Sequence, residues 1–153
     1  MFRMIFSRGR AALLALVMVL AGVFAIVAVT PGSASASANG CTYWGGLTIH
    51  VGGHAIGLPG GRQCINVLGS GTYVTGVQGW WDTTYMYDSL EVIRFYDTHG
   101  NNYRTYYGPT HEGYAYGQLS YTKTLNSNMK PGSVCTSALS GGVTVATACE
   151  LIK

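Results

Sequence analysis

The clearest two-residue alternation along the chain runs from Ser89 to Gly108. Leu90 to Tyr96 places Ile93 and Phe95 on one face and Val92, Arg94 and Tyr96 on the other. Asn102 to Tyr107 follows with three tyrosines, and Asp97-Thr98-His99-Gly100 stands between the two arms. Asp in first position accepts from backbone N–H groups two residues on, and Gly in fourth position takes a positive φ without strain. This pattern predicts a β-hairpin closed by a type I turn, with His99 exposed at its tip.

The same period of two recurs elsewhere. Leu47, Ile49 and Val51 alternate with Thr48 and His50, and Gly52-Gly53 ends that strand. Gly57 to Gly61 reads as a turn, and Arg62 to Leu68 as the next strand. Thr72 to Trp80 follows, with Val74 and Val77 out of phase, which predicts a bulge at Gly76. Trp81 to Asp88 reads as a loop crowded with aromatics. Gly108-Pro109 ends the hairpin, and Tyr114 to Leu125 alternates again. A last hairpin joins Ser133–Leu139 to Val143–Ile152 through Ser140-Gly141-Gly142. Sustained 3.6-residue apolar stripes are missing. Seven to nine antiparallel strands in one domain fit either a small disulfide-stabilised β-sandwich or a small Greek-key barrel.

The first 38 residues break the pattern. Arg3, Arg8 and Arg10 precede an apolar run from Ala11 to Val29, and Pro31-Gly32 leads into alternating Ser and Ala. That is the plan of a signal peptide cleaved after Ala38, leaving a secreted domain over 39–153. The competing reading, a membrane anchor, fits the length of the apolar run but not the small-residue tract.

Composition changes the picture in two places. The formal charge of +3 comes from the three leader arginines, so the remaining six basic and six acidic residues balance. A neutral domain lacks the electrostatic footprint that phosphate backbones require, so nucleic acid is not an expected partner. Neither is insertion of the mature chain into a membrane. All four cysteines, Cys41, Cys64, Cys135 and Cys149, lie after the leader. An even count in a short exported chain predicts two disulfides. Four cysteines allow three pairings; Cys135 and Cys149 sit about equally far from the Gly141-Gly142 turn, which favours Cys135–Cys149 with Cys41–Cys64. Thiolate metal ligation lacks a Cys-x-x-Cys pair.

Candidate chemistry concentrates in Trp80, Trp81, Asp82, Thr83, Tyr85 and Tyr87. Flat rings offer stacking faces, and the polar residues between them supply directional hydrogen bonds. If one indole plugs the core, strand alternation turns the other outward. A second aromatic set, Tyr96, Tyr103, Tyr106, Tyr107, Tyr114 and Tyr116, is a candidate platform or ordinary sheet packing. His50 and His54 have a metal-like spacing that serves on helices, and two glycines between them argue against a helix. Neither a Gly-x-Ser-x-Gly elbow nor a phosphate-binding glycine loop occurs. These features predict a monomeric, non-enzymatic, secreted binding module without metal or cofactor, its partner an extracellular glycan or protein. A protease inhibitor presenting Arg62 from a convex loop is the alternative, and a hydrolase built on scattered carboxylates is the third reading.

Overall fold

A computed structural model describes residues Ala38–Lys153; the leader expected over 1–38 lies outside them except for Ala38. Eight strands make up the described chain: β1 Ala38–Trp44, β2 Leu47–Val51, β3 His54–Leu58, β4 Gly61–Ser70, β5 Tyr73–Asp97, β6 Asn102–Asn128, β7 Gly132–Ser140 and β8 Val143–Ile152. All pairings are antiparallel. Among the described residues there is no helix, and so none that is long and apolar enough to cross a membrane.

One six-stranded sheet carries the fold, in the order β1-β4-β5-β7-β8 with β6 on the other side of β5; β2 and β3 form a small sheet of their own. The long strand β5 belongs to both halves of the sheet. Its first half pairs with β4, its second half with β7, and β6 accompanies it throughout. The ribbon bends where the β5–β6 register slips, between Thr83 and Tyr85, between Tyr87 and Ser89, and between Leu90 and Val92. Such slips turn a strand from one sheet layer into another. Asp88 sits at the bend with φ 43°. Its carboxylate accepts the Gly113 N–H at 2.6 Å, and its carbonyl accepts the Gly141 N–H at 3.1 Å. These contacts hold a conformation that a non-glycine residue rarely adopts alone.

Bending brings β8 alongside β1 and makes the sheet a nearly closed barrel. The all-β, antiparallel, disulfide-stabilised fold is the one the alternation implies. Its two candidate architectures meet in a single sheet folded over on itself. Ile65, Val67, Val74 and Val77 of the first half pack against Ile93, Phe95, Val134, Ala148 and Ile152 of the second. A second cluster fills the bend, where Ile49 and Leu58 of the β2–β3 hairpin cover Trp81, Met86 and Ala138. Burying side chains of this size is worth roughly 1.5–3 kcal/mol each, which makes these clusters the main stabilising term.

Both disulfides have the expected partners. Cys41 lies directly opposite Cys64 across β1 and β4, and Cys135 opposite Cys149 across β7 and β8. Each therefore fixes a strand register as well as closing a loop. The opening hairpin also forms as expected. Tyr96 pairs with Asn102, Gly100 has φ 80° and donates to the Asp97 carbonyl at 3.0 Å, and His99 is exposed. The Asp97 carboxylate accepts from the N–H groups of His99 and Asn101, which holds it more acidic than an ordinary aspartate, the Asn101 contact contributing most.

Three sequence expectations are corrected. Trp81 to Asp88 is not a loop but the middle of β5. Gly108-Pro109 does not end the hairpin, because β6 runs through both to Asn128. Pro109 is tolerated there because β6 pairs on one edge only, so a missing N–H need not break a ladder. Finally, β1 and β3 went unassigned. Gly52 and Gly53, with φ of 58° and 81°, make the two-residue turn that joins β2 to β3.

Candidate functional site

The aromatic segment lies on β5 just before and within the bend, and strand alternation divides it. Trp81 points inward and is 1% exposed; Thr83 is also buried, and its hydroxyl donates to the Gly60 carbonyl at 2.9 Å. These two belong to the interior and offer nothing to an external ligand. Trp80 and Asp82 point to the opposite, outer face and are half-buried. The indole pair thus splits between the two faces.

Four strands supply that outer face in register. Tyr43, Arg62, Asp82 and Gln118 form one row across β1, β4, β5 and β6. The next row is Cys41, Cys64, Trp80 and Ser120, and the one after is Asn39, Asn66, Gln78 and Thr122. Arg62 donates from Nη2 to the Asp82 carboxylate at 2.9 Å and from Nε at 3.2 Å, with both side chains a little over two-fifths exposed. The neighbouring Tyr43 phenol and then Asp82 hold the Arg62 guanidinium still more firmly protonated. The pair cancels its own charge, so the face is polar and nearly neutral. Arg62 sits inside β4, paired on both edges, so the convex loop required by the inhibitor reading does not exist at this position.

Past the bulge at Thr83 the face continues into four tyrosines. Tyr114 meets Tyr85 edge-on at 5.5 Å and Tyr87 at 5.1 Å, while Tyr116 stacks on Tyr114 at 6.4 Å. Tyr85 and Tyr87 pack on the bend cluster, and the Tyr85 hydroxyl donates to the Gly57 carbonyl of β3 at 2.8 Å. Tyr114 and Tyr116 ride on them, 53% and 69% exposed. Each such ring pair adds about 0.5–1.5 kcal/mol beyond its buried area, so the exposed rings have a fixed support. The second tyrosine set therefore divides as well. Tyr103 and Tyr106 pack on Phe95 in the core, Tyr107 is exposed on the other half of the sheet, and only Tyr114 and Tyr116 join this site.

Sequence reasoning placed Tyr85 and Tyr87 in the site but missed Tyr43, Arg62, Gln118 and Ser120 as their neighbours. The even-numbered side chains of β6 were readable as one face, and Tyr114, Tyr116, Gln118, Ser120 and Thr122 are all exposed. From Gly113 to Thr122 this strand carries no charge.

Away from this face, one titratable group is buried in the fold. Glu91 is buried between the two sheet halves, where Gln63 Nε2 donates to its Oε1 at 2.5 Å and to Thr136 Oγ1 at 3.0 Å. Burial pushes its carboxyl up to about 8, against the smaller, lowering effect of the Gln63 contact. Gly79 makes the room: a Cβ there would collide with Glu91 Oε1 and with Thr136. His50 and His54 are in successive strands, with His50 opposite Ala55 and His54 opposite Val51, so they lie on opposite faces of their ribbon. Among the described residues no three His, Cys, Asp or Glu side chains converge as metal ligands. An open cavity of about 620 Å³ lies at the far end, lined by Asp97, Pro131, Ser133 and Leu151 among others, but the Asp97 carboxylate is spent on its own turn. No protein-family model matches the chain, and no curated protein or solved structure is significantly similar to it.

Proposed function

We propose that this protein is an exported, non-catalytic binding module that takes a neutral glycan on the outer sheet face running from Trp80 to the Tyr114–Tyr116 pair. The observation that carries this reading is that pair: two stacked rings, more than half exposed, held from below by Tyr85 and Tyr87. Pyranose rings present C–H faces that stack on aromatic rings, and their hydroxyls need donors and acceptors at the ring edges. Gln118, Ser120, Thr122 and Gln78 supply such groups without a net charge. Supported rings bind with little loss of side-chain freedom, the usual reason aromatic residues anchor a contact surface.

Two further observations favour binding over catalysis and export over retention. Asp82, Asp88, Asp97 and Glu91 are each committed to a contact within the fold. Two disulfides suit an oxidising compartment. The test is retention on insoluble polysaccharides. Wild-type protein is expected to be held by at least one neutral glycan, and the Tyr114→Ala/Tyr116→Ala variant to wash through. Tyr107→Ala removes an equally exposed ring from the other sheet half and is expected to change nothing. Capture by an extracellular protein, with no glycan retained, would replace this reading by a protein-binding one.

A further inference from the structure

The long strand β6 doubles back with the sheet. Its first arm, Asn102 to Tyr107, pairs with the second half of β5, and its last arm, Gly117 to Asn128, pairs with the first half. Side chains from the two arms meet in a seam. Gly108 backs onto Tyr121, where an added Cβ would lie 2.9 Å from the ring. The Lys123 ammonium stands 4.8 Å from the centre of the Tyr106 ring. Just past the end of β6, the Lys130 ammonium stands 5.2 Å from the centre of the Tyr103 ring, and Arg104 Nη1 reaches the Met129 sulfur at 3.7 Å.

Three of the six basic residues of 39–153 gather at this seam, and Arg104 stands between the other two. It pairs with Phe95 as Tyr106 pairs with Ile93, so Arg104 and Tyr106 share one side of the strand, a step of about 7 Å apart. Tyr103 is its neighbour in the chain. Burial raises the Tyr103 phenol above its ordinary value, and the Lys130 hydrogen bond and then the Arg104 charge oppose that rise, as a guanidinium close to the ring does. Among the described residues the one ion pair is Arg62–Asp82, so no carboxylate neutralises Arg104, Lys123 or Lys130. Asp97, in the turn before this arm, holds its carboxylate on the His99 and Asn101 N–H groups. The Arg104 fork has five N–H donors and meets a thioether, a weak acceptor. An ammonium over a ring face keeps its N–H groups available to an anion. The even balance of charge over the domain conceals this local excess.

We propose that the seam between the arms of β6 binds a tetrahedral oxyanion, phosphate or sulfate, free or as a group on a larger molecule. Arg104 is at its centre, with Lys123 and Lys130 to either side. A guanidinium fork takes two oxygens of such an anion, and the ammonium groups meet the others as point charges. A carboxylate has two oxygens and one charge, fewer than three cations can use. Arg104 and Lys130 are exposed and Lys123 is half-buried, so the anion reaches the seam from solvent. Lys123 lies opposite the buried Val77, on the side of β6 away from the Tyr114–Thr122 row, so the inference does not depend on what that row binds.

Calorimetric titration of the purified protein with inorganic phosphate, sulfate, tripolyphosphate and acetate at low salt tests it, with backbone amide shifts locating the site. The expected result is saturable binding of the tetrahedral anions, weakened by added sodium chloride, with shifts on Tyr103–Tyr106 and Tyr121–Lys130. Equal affinity for phosphate and tripolyphosphate assigns the free ion, and tighter binding of tripolyphosphate assigns a group on a longer molecule. Arg104→Gln and Lys123→Met are each expected to weaken binding about tenfold, the methionine keeping the packing of the lysine stem on Tyr106. Arg94→Gln also removes a cation, but one bonded to Ser137 on the outer face of β5, and is expected to change nothing. No binding of any tetrahedral anion overturns the proposal. So does acetate binding as tightly as phosphate, or an affinity that Arg104→Gln and Lys123→Met leave unchanged.

Discussion

Gln63 Nε2 donates to Glu91 Oε1 at 2.5 Å, inside the fold, with β4 supplying one residue and β5 the other. Both side chains are buried, and Gln63 Oε1 and Glu91 Oε2 have no hydrogen-bond partner among the described residues. A neutral carboxyl leaves less charge to bury beside an oxygen that has no donor than a carboxylate would. Burial favours that neutral form.

Stability is expected to fall with rising pH. The Glu91 carboxyl titrates near its ordinary 4.5 when unfolded and at about 8 when folded. The folded state therefore holds the extra proton, and stability is greatest below pH 4.5, declines between about 4.5 and 8, and levels off above. At roughly 1.4 kcal/mol per unit, the loss across that window is on the order of 5 kcal/mol. Denaturant unfolding from pH 5 to 9 measures it, and Glu91→Gln is expected to flatten the slope. An unchanged slope in the variant would assign the pH dependence to other groups.

Gly79→Ala is expected to destabilise the protein by about 1–3 kcal/mol. The added methyl meets Glu91 Oε1 and the Thr136 side chain, both buried and neither free to retreat. Thermal unfolding reports it directly. Gly142→Ala is a poor control because of its positive φ, whereas Gly57 has open space and an ordinary φ, so Gly57→Ala is expected to cost little.

Removing either disulfide by paired Cys→Ala substitution is expected to cost about 3 kcal/mol, from sequence separations of 23 for Cys41–Cys64 and 14 for Cys135–Cys149. The readout is the midpoint of urea unfolding. Since each bridge also pins a strand register, amide exchange is expected to rise along β1 in one variant and along β8 in the other.

The two adjacent tryptophans are expected to behave oppositely. Trp81→Ala empties a buried site in the bend cluster and should cost about 3–5 kcal/mol, while Trp80→Ala on the outer face should cost far less. Equal losses would mean that the two indoles do not divide between the faces.

Much of this arrangement is legible in the sequence, and the failures have physical causes. The Asp97–Gly100 turn, the alternation of β2 and β8 and the symmetric cysteines are local signals, and local interactions produce what they specify. Trp81 to Asp88 read as a loop because its alternation is broken by two register slips, and a bulged strand moves its side chains out of phase. Pro109 read as a terminator because the sequence does not say that β6 is an edge. Glu91 was legible in principle. It shares the parity of Ile93 and Phe95, so period two places it on the core face, and Gly79 on the neighbouring stretch of β5 leaves the space it needs. The cross-strand neighbours of Trp80 were not legible, because Tyr43, Arg62 and Gln118 reach it only through pairing of distant segments.

The outer face is tested most directly by mapping backbone amide shifts of the labelled protein during titration with a neutral oligosaccharide drawn from the glycan that retains it. Saturable shifts are expected, confined to Tyr114–Thr122, the Trp80–Tyr87 stretch and their neighbours on β4, and unaffected by salt because no net charge is involved. Shifts centred on the far-end cavity around Asp97, Pro131 and Leu151, or an unperturbed spectrum with every neutral sugar tried, would contradict it.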